Sequence, residues 1–162
     1  IPIAILVIIL IITLLLIYSP NNQSKKDILT AIAVNGDNQT LGATTIKFSQ
    51  NKIVEGTAIS HEPGSDTINI NETGIYLIAY QLYGTRQTIG TFNFNAGLLV
   101  NDTLVDDAVN DGPILRDNVV NRMTLTNTVI LELNAGDTLK LVGISIEDIT
   151  YEKARINIEK IG

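Results

Sequence analysis

The chain divides into an apolar segment and a longer region in which short hydrophobic runs alternate with turn residues. Residues 1–18 contain eight Ile, five Leu and one Val, and no charged side chain. As a helix this segment is about 27 Å long at ~1.5 Å per residue, close to the ~30 Å hydrocarbon core of a bilayer. Because it is apolar on every face, the pattern predicts a helix surrounded by lipid or by other protein.

Three environments for this apolar N-terminal helix stay open: burial in a protein assembly, a bilayer span, and an uncleaved signal-type segment. Ile at both core positions of a heptad favours trimers or tetramers. Other registers fit equally well, because every position is apolar. Residues 1–19 are therefore assigned as a stalk or anchor, and the polar, Pro-containing residues 20–27 as a hinge. One heptad register supplies the candidate assembly or anchor positions: Ile5, Ile8, Ile12 and Leu15.

From residue 28 onward the pattern is typical of β-structure, with Thr- and Ile-rich runs separated by Gly, Asn and Asp. No helical period is present, so the region predicts an all-β domain over residues 28–162, built as a sandwich, jelly roll or barrel. Asn35-Gly36 and Asn134-Ala135-Gly136-Asp137 are typical turn sequences. Ten strands are predicted: 28–34, 44–48, 52–55, 66–70, 75–83, 91–100, 103–109, 122–133, 138–146 and 153–161.

Two of the predicted strands have few positions that suit contact with water. Residues 75–83 are apolar on both faces, and residues 123–133 place aliphatic side chains on one face and a row of Thr with Ile130 on the other. A strand that is buried on both faces of an antiparallel sheet needs a second packing partner. In a domain of this size the simplest partner is another copy of the chain, so the pattern predicts self-association.

Composition excludes several functional classes. The net charge is −6, and the 11 basic residues are scattered along the chain, which disfavours nucleic-acid binding and attraction to anionic lipid. The chain has no Cys, hence no disulfide, no thiolate metal site and no cysteine nucleophile. No glycine-rich phosphate loop or dinucleotide fingerprint is present, so neither a cofactor nor a small-molecule substrate is expected.

Two stretches contain residues that could carry chemistry. His61 is the single histidine, and the chain has no Gly-x-Ser-x-Gly nucleophile motif, so His61 is predicted to be a loop histidine and the protein not an enzyme. Residues 106–112 are rich in oxygen ligands, but their spacing does not match a 12-residue calcium loop. A solvated turn is the simpler interpretation, and no metal site is predicted; Asp107 and Asp111 are the weak candidates.

Three motifs resemble the tumour-necrosis-factor and complement globular-head superfamily. Its Gly-x-Tyr strand is similar to residues 74–81, GIYLIAYQ. Its leucine-rich Gly-Asp hairpin is similar to residues 131–139, LELNAGDTL. The Val-Asn-Gly turn of its bacterial members is similar to residues 98–103, LLVNDT, where Asp102 replaces the commoner Gly. With the closing strand at 154–161, the likeness covers residues 28–162.

The resemblance implies a ten-strand jelly roll that packs as a homotrimer through its inner sheet. Bacterial members that resemble this chain cap collagen-like filaments on spore surfaces, in the exosporium or on spore appendages. Residues 1–27 contain no Gly-x-y repeat, so we expect instead that the apolar stalk of one trimer is held by the next. Carried over by position, the residues facing the three-fold axis are Leu77, Ala79, Gln81, Thr124, Thr126 and Thr128. Those filling each subunit's core are Tyr76, Ile78, Tyr80, Leu82, Leu125, Val129 and Leu131.

The sequence thus predicts a structural subunit of an extracellular bacterial fibre, on a spore or cell surface. Its trimeric heads stack head to tail or anchor through the apolar N-terminal helix, as a contact between two different surfaces can build an open filament. The expected partner is the chain itself, and also a membrane if the apolar segment spans one. The alternative function is a membrane-anchored trimeric ligand or adhesin that binds a receptor or glycan through head loops.

Overall fold

The computed structural model describes residues 26–34, 44–86, 90–92, 94–111, 115–117, 121–145 and 149–162. The predicted apolar helix, most of the hinge and the predicted Asn35-Gly36 turn lie outside these residues. Within them no α-helix forms, and no helix has the length and hydropathy needed to cross a membrane. The described strands are β1 Ile28–Val34, β2 Thr44–Thr45, β3 Gln50–Glu55, β4 Ile59–His61, β5 Ile68–Ile70, β6 Gly74–Arg86, β7 Gly90–Phe92, β8 Phe94–Val100, β9 Thr103–Leu104, β10 Asn110–Asp111, β11 Leu115–Asp117, β12 Asn121–Leu133, β13 Thr138–Ser145 and β14 Thr150–Lys160.

The strands build two main antiparallel sheets. The five-stranded sheet has the order β12-β6-β14-β1-β3. In the seven-stranded sheet the order is β10-β8-β13-β5-β4, with β2 added beside β13 and β9 beside β8. A short third sheet pairs β11 with β7. Strands that are distant in sequence are neighbours in both main sheets, so each sheet forms only when the whole domain comes together.

The core lies between the two main sheets and follows from period-2 alternation. In β6, Tyr76, Ile78, Tyr80 and Leu82 are at most 3% exposed, because successive side chains of a strand point to opposite faces. Leu125 of β12 is also buried, which confirms the predicted core set in these two strands. The remaining predicted core residues, Val129 and Leu131, are partly buried and pack against the same cluster.

The predicted number of ten strands is wrong, because fourteen strands form among the described residues. The predicted strand 103–109 ends after two residues, because residues 106–108 form a 3₁₀-helix, in which the N–H groups of Ala108 and Val109 donate to the carbonyl oxygens of Val105 and Asp106. Predicted strand 91–100 is divided between β7 and β8, which belong to different sheets. The sequence missed β4 and β11 because strands of three residues are too short to show a period.

Two predicted turns form as the resemblance implies. Asn101 and Asp102 have φ values of 50° and 62° and connect β8 to β9. This left-handed conformation is tolerated by Asn and Asp, so Asp102 can replace the commoner Gly. Between β12 and β13, Gly136 has a φ of 97°. Hydrogen bonds lower the pKa of Asp137 in this turn. The bond with the largest effect is donated by Asn101 Nδ2 to Asp137 Oδ1 at 2.8 Å.

Aromatic rings pack against glycines between the sheets. Tyr151 of β14 lies on Gly143 of β13, where an added Cβ would be 2.1 Å from the Tyr151 hydroxyl oxygen. The ring of Phe94 is 5.7 Å from that of Tyr151, and it also lies against Gly84 of β6. Burial in this apolar contact raises the pKa of Tyr151 to about 12 from its usual 10.0.

Burial of Tyr151 makes the fold sensitive to alkali. The folded-state pKa is above the unfolded value, so the stabilisation is fully present below pH 10 and is lost as the pH rises toward 12. Two pKa units correspond to about 2.7 kcal/mol. We expect urea unfolding midpoints to fall steeply between pH 10 and 12, and to fall less in the Tyr151→Phe variant. An equal decline in both proteins would contradict this prediction.

Candidate functional site

One face of the five-stranded sheet packs on the core, and the other points away from the molecule. We call the second the open face and define it by four rows of side chains, each running from β12 through β6 to β14. The rows are Ile130-Leu77-Glu159, Thr128-Ala79-Asn157, Thr126-Gln81-Arg155 and Thr124-Tyr83-Lys153. They arise because β12 and β14 both pair with β6. Residues that lie directly opposite each other on paired strands have side chains on the same face of the sheet.

All six residues predicted at the three-fold axis lie on the open face. Thr128 is opposite Ala79, Thr126 opposite Gln81, and Thr124 opposite Tyr83. Leu77 and Ala79 are half-buried, whereas Gln81 and the three Thr are exposed. The register therefore brings the two predicted triplets side by side.

The open face is more apolar than the six predicted residues suggest. Ile130 is 60% exposed and Ile75 is 43% exposed, and both flank Leu77. Burying an aliphatic side chain of this size contributes about 1.5–3 kcal/mol, so a partner that covered these neighbours would gain free energy from their burial. The six residues predicted at the three-fold axis did not include Ile75 and Ile130. Ile75 is two residues before Leu77, and Ile130 is two residues after Thr128, so the same alternation places both on this face.

Charged side chains lie in several rows of the open face. Glu159 lies in the first row, next to the end of the sandwich that contains Asp27 and Gly162, which we call the base, and it forms an ion pair with Lys26 at 3.1 Å. At the base Lys160 Nζ donates to Glu72 Oε2 at 2.9 Å. This hydrogen bond, together with the ammonium charge, lowers the pKa of Glu72, and the same hydrogen bond raises the pKa of Lys160. Toward the opposite end the third and fourth rows carry Arg155 and Lys153.

The chain enters and leaves the domain at the base. The Asp27 carboxylate accepts hydrogen bonds from the N–H groups of Thr57 and Ala58, at 2.7 and 3.1 Å. The Ile75 N–H donates to the Gly162 carbonyl at 2.8 Å. The segment that precedes residue 26 is therefore joined to the head at this end, beside the first row of the open face.

His61 has a structural position. It lies in β4 and is 8% exposed, so the predicted loop location is wrong. Its Nδ1 is 2.6 Å from Asn51 Oδ1, its Nε2 is 3.1 Å from the Ser65 carbonyl oxygen, and its ring meets Phe48 edge-on. The contact to Ser65 involves the carbonyl and not the hydroxyl, so the nucleophile–base pair of a Ser/His/acid triad is not formed here.

The weak metal candidates do not form a site in the described part of the chain. There, no three His, Cys, Asp or Glu side chains converge as metal ligands. Asp107 is exposed in the 3₁₀-helix. Asp111 lies in β10 opposite Asn95, and its side chain is outside the described residues. The absence of a metal stays a prediction.

Comparison with known proteins adds a family and a fold. A family model described as the BclA C-terminal domain matches residues 21–162. The chain is similar to a crystal structure of murine APRIL at pH 5.0, with a TM-score of 0.60 and 15% identity, and to one at pH 8.0, with 0.54 and 14%. Each comparison covers 85% of this chain and 100% of the other. No curated protein sequence matches the chain. At these identities the likeness to APRIL establishes the fold alone, and it confirms the jelly roll of the tumour-necrosis-factor type.

Proposed function

Because the chain belongs to the BclA C-terminal domain family, we propose that it is the trimeric head of a structural fibre protein on bacterial spores. Membership of the family places it at the extracellular surface of the spore. The families to which it is related comprise structural proteins and ligands, not enzymes. The head contributes an assembly surface, and the apolar N-terminal segment connects that head to the fibre or anchors it.

The observation that carries this proposal is the open face. Ile130, Leu77 and Ile75 form an aliphatic group at its base, and a Thr-lined strip continues above them. Three copies around an axis along this strip remove the aliphatic group from water, and hydrophobic burial is the dominant favourable term in most protein association. Thr side chains can be buried in such a contact, since their hydroxyls can bond across it.

The entry of the chain at the base of the sandwich determines where the proposed stalk forms. A three-fold axis along the open face brings the three bases together, so three apolar segments enter one bundle. Ile at heptad core positions suits such a bundle, with Ile5, Ile8, Ile12 and Leu15 as one register. The outward aliphatic face of the bundle needs cover, which the head of the next trimer or a membrane at the fibre base provides.

Deletion of residues 1–19 tests both parts of the proposal. We expect the remaining chain to be soluble and trimeric by light scattering, and unable to form fibres in electron micrographs. The full chain in detergent-free buffer is the matched control and is expected to form fibres. Monomeric heads after the deletion would contradict the trimer, and fibres that persist would remove the apolar segment from assembly.

A further inference from the structure

A basic groove crosses the upper rows of the open face. It has a volume of about 610 Å³ and is lined among others by Arg122, Lys153 and Arg155, with Glu152 as its acidic member. Within the described part of the chain no ion pair joins these three basic side chains to a carboxylate. A basic groove in a chain of net charge −6 points to an acidic occupant.

An acidic pair lies beside the other surface of β12. Asp106 and Asp107 begin the 3₁₀-helix, are both exposed, and have no ion-pair partner among the described residues. The helix is held in place by two contacts from the five-stranded sheet. The Tyr80 hydroxyl donates to the Ala108 carbonyl at 2.8 Å, and Asn127 Nδ2 is 3.4 Å from the Asp107 carbonyl oxygen.

One end of the groove, at Arg155, lies at nearly the same height along the strands as the acidic pair, whereas Lys153 and Arg122 lie farther from the base. Tyr80 and Asn127 are paired across β6 and β12, and strand side chains stand roughly perpendicular to the sheet. The acidic pair therefore lies at the same height along the strands as Tyr80 and Asn127. Arg155 is paired with Gln81, the next residue of β6. A rotation about an axis parallel to the strands preserves height, so it can bring the acidic pair of one protomer opposite the Arg155 of another.

Three-fold symmetry also requires two different surfaces to meet. Contact of one patch with itself is the property of a two-fold axis, whereas a ring of three joins one patch to a different patch on the next protomer. The open face must therefore meet an edge of its neighbour. The edge at β12 carries Ile130 and the Thr row, and the opposite edge, β3, carries the exposed Ile53 and Val54 between the charged Lys52 and Glu55. The acidic pair lies beside β12, so a contact through the β12 edge is the one that brings it to the groove of the neighbour.

We propose that Asp106 and Asp107 of one protomer dock at the Arg155 end of the basic groove of the next, so that three such contacts fix the rotation of the trimer. This inference rests on the trimer proposed above. Within one protomer the sheet itself lies between them, because Arg155 is on the open face of β14, two strands from β12, whereas the acidic pair lies beside the opposite surface of β12. The partner that the groove takes is a second copy of this chain.

Because the chain has no Cys, thiol crosslinking can test the contact in the full-length protein. The Asp107→Cys/Arg155→Cys variant, treated with a bis-maleimide long enough to span an aspartate–arginine pair, is expected to give covalent dimers and trimers on denaturing gels. The matched control, Asn69→Cys/Arg155→Cys, moves the first thiol to an exposed position of the other sheet and is expected to give no covalent trimer.

Charge reversal tests the energy of the contact. Arg155→Glu or Asp107→Arg alone should weaken each of the three equivalent interfaces of the trimer about tenfold, and the trimer dissociation constant rises accordingly. The double variant should return it to within about threefold of the wild type. A wild-type chain that is monomeric overturns the trimer and this inference with it. A trimer without covalent trimers, or without rescue, overturns this inference alone. Inorganic phosphate that binds the groove and stabilises the wild type at constant ionic strength would assign the groove to a free anion and overturn it as well.

Discussion

Replacing Leu77 with Asp is expected to convert the proposed trimer into folded monomers of 17.6 kDa. Leu77 lies between Ile130 and Glu159 in the first row of the open face. In the trimer a carboxylate at this position is unpaired and withdrawn from water, at a cost of about 3–5 kcal/mol for each copy. In the monomer the same carboxylate is half-exposed opposite Glu159, so we expect a smaller cost, on the order of 1 kcal/mol. Light scattering gives the mass, and circular dichroism reports whether the sandwich is intact.

The matched control for Leu77→Asp is Asn69→Asp. Asn69 is exposed in β5 of the seven-stranded sheet, so this variant adds the same charge in a strand of the opposite face. We expect it to remain trimeric with an unchanged denaturation midpoint. If Leu77→Asp also remains trimeric at the same protomer concentration, the open face is not the interface. If it unfolds, Leu77→Thr provides a neutral replacement of high β-propensity, with weaker but measurable loss of trimer.

The sequence predicted which side chains of each long strand share a face. Alternation in β6 separates Tyr76, Ile78 and Tyr80 from Leu77 and Ala79, and this depends only on the local geometry of a strand. The first strand, residues 28–34, and the turn at 134–137 were predicted for the same reason, since their signals are local. Short strands such as β4 were missed, because three residues next to a turn have no period to read.

The arrangement of the rows could not be predicted in this way. That Arg155 lies beside Gln81 and Gln81 beside Thr126 depends on the register of β14 and β12 against β6. Register is set by the packing of the whole sandwich and not by any one strand. The basic groove therefore has no signature in the sequence, where Arg122 is distant from Lys153 and Arg155. The acidic pair can be read from the sequence as two consecutive Asp residues, but its position beside β12 depends on the hydrogen bond from the hydroxyl of Tyr80.

The rows explain how one surface can supply both stability and direction. Its aliphatic side chains lie at the base, where the N-terminal segments leave the head, and its basic side chains lie toward the other end. Hydrophobic burial is non-directional, so the aliphatic group alone would allow the protomers to slide or rotate. Charged groups fix register and suppress incorrect pairings more than they add affinity. The proposed trimer needs both, because its three N-terminal segments would then leave the heads together on one axis.

Replacing Gly143 with Ala is expected to destabilise the head by about 3 kcal/mol, since overpacking a full core typically costs about 1–3 kcal/mol and occasionally more. The added Cβ would be 2.1 Å from the Tyr151 hydroxyl oxygen and 2.3 Å from Cζ, closer than any real contact. Relief is difficult because Gly143 is held in β13 between Ala96 of β8 and Thr44 of β2. Glycine inside a strand often marks such a close approach.

A double-mutant cycle separates this clash from the other effects of losing a glycine. Tyr151→Ala alone should cost about 3–5 kcal/mol, as do other aromatic truncations in cores. In the Gly143→Ala/Tyr151→Ala variant the ring is absent, so we expect no further loss beyond Tyr151→Ala, and a coupling energy of about 2–3 kcal/mol. Urea unfolding at one fixed protomer concentration measures all four proteins, since the stability of an oligomer depends on concentration. Additive losses would show that the Tyr151 ring is not what excludes a side chain at residue 143, and that the contact between the two sheets is formed differently.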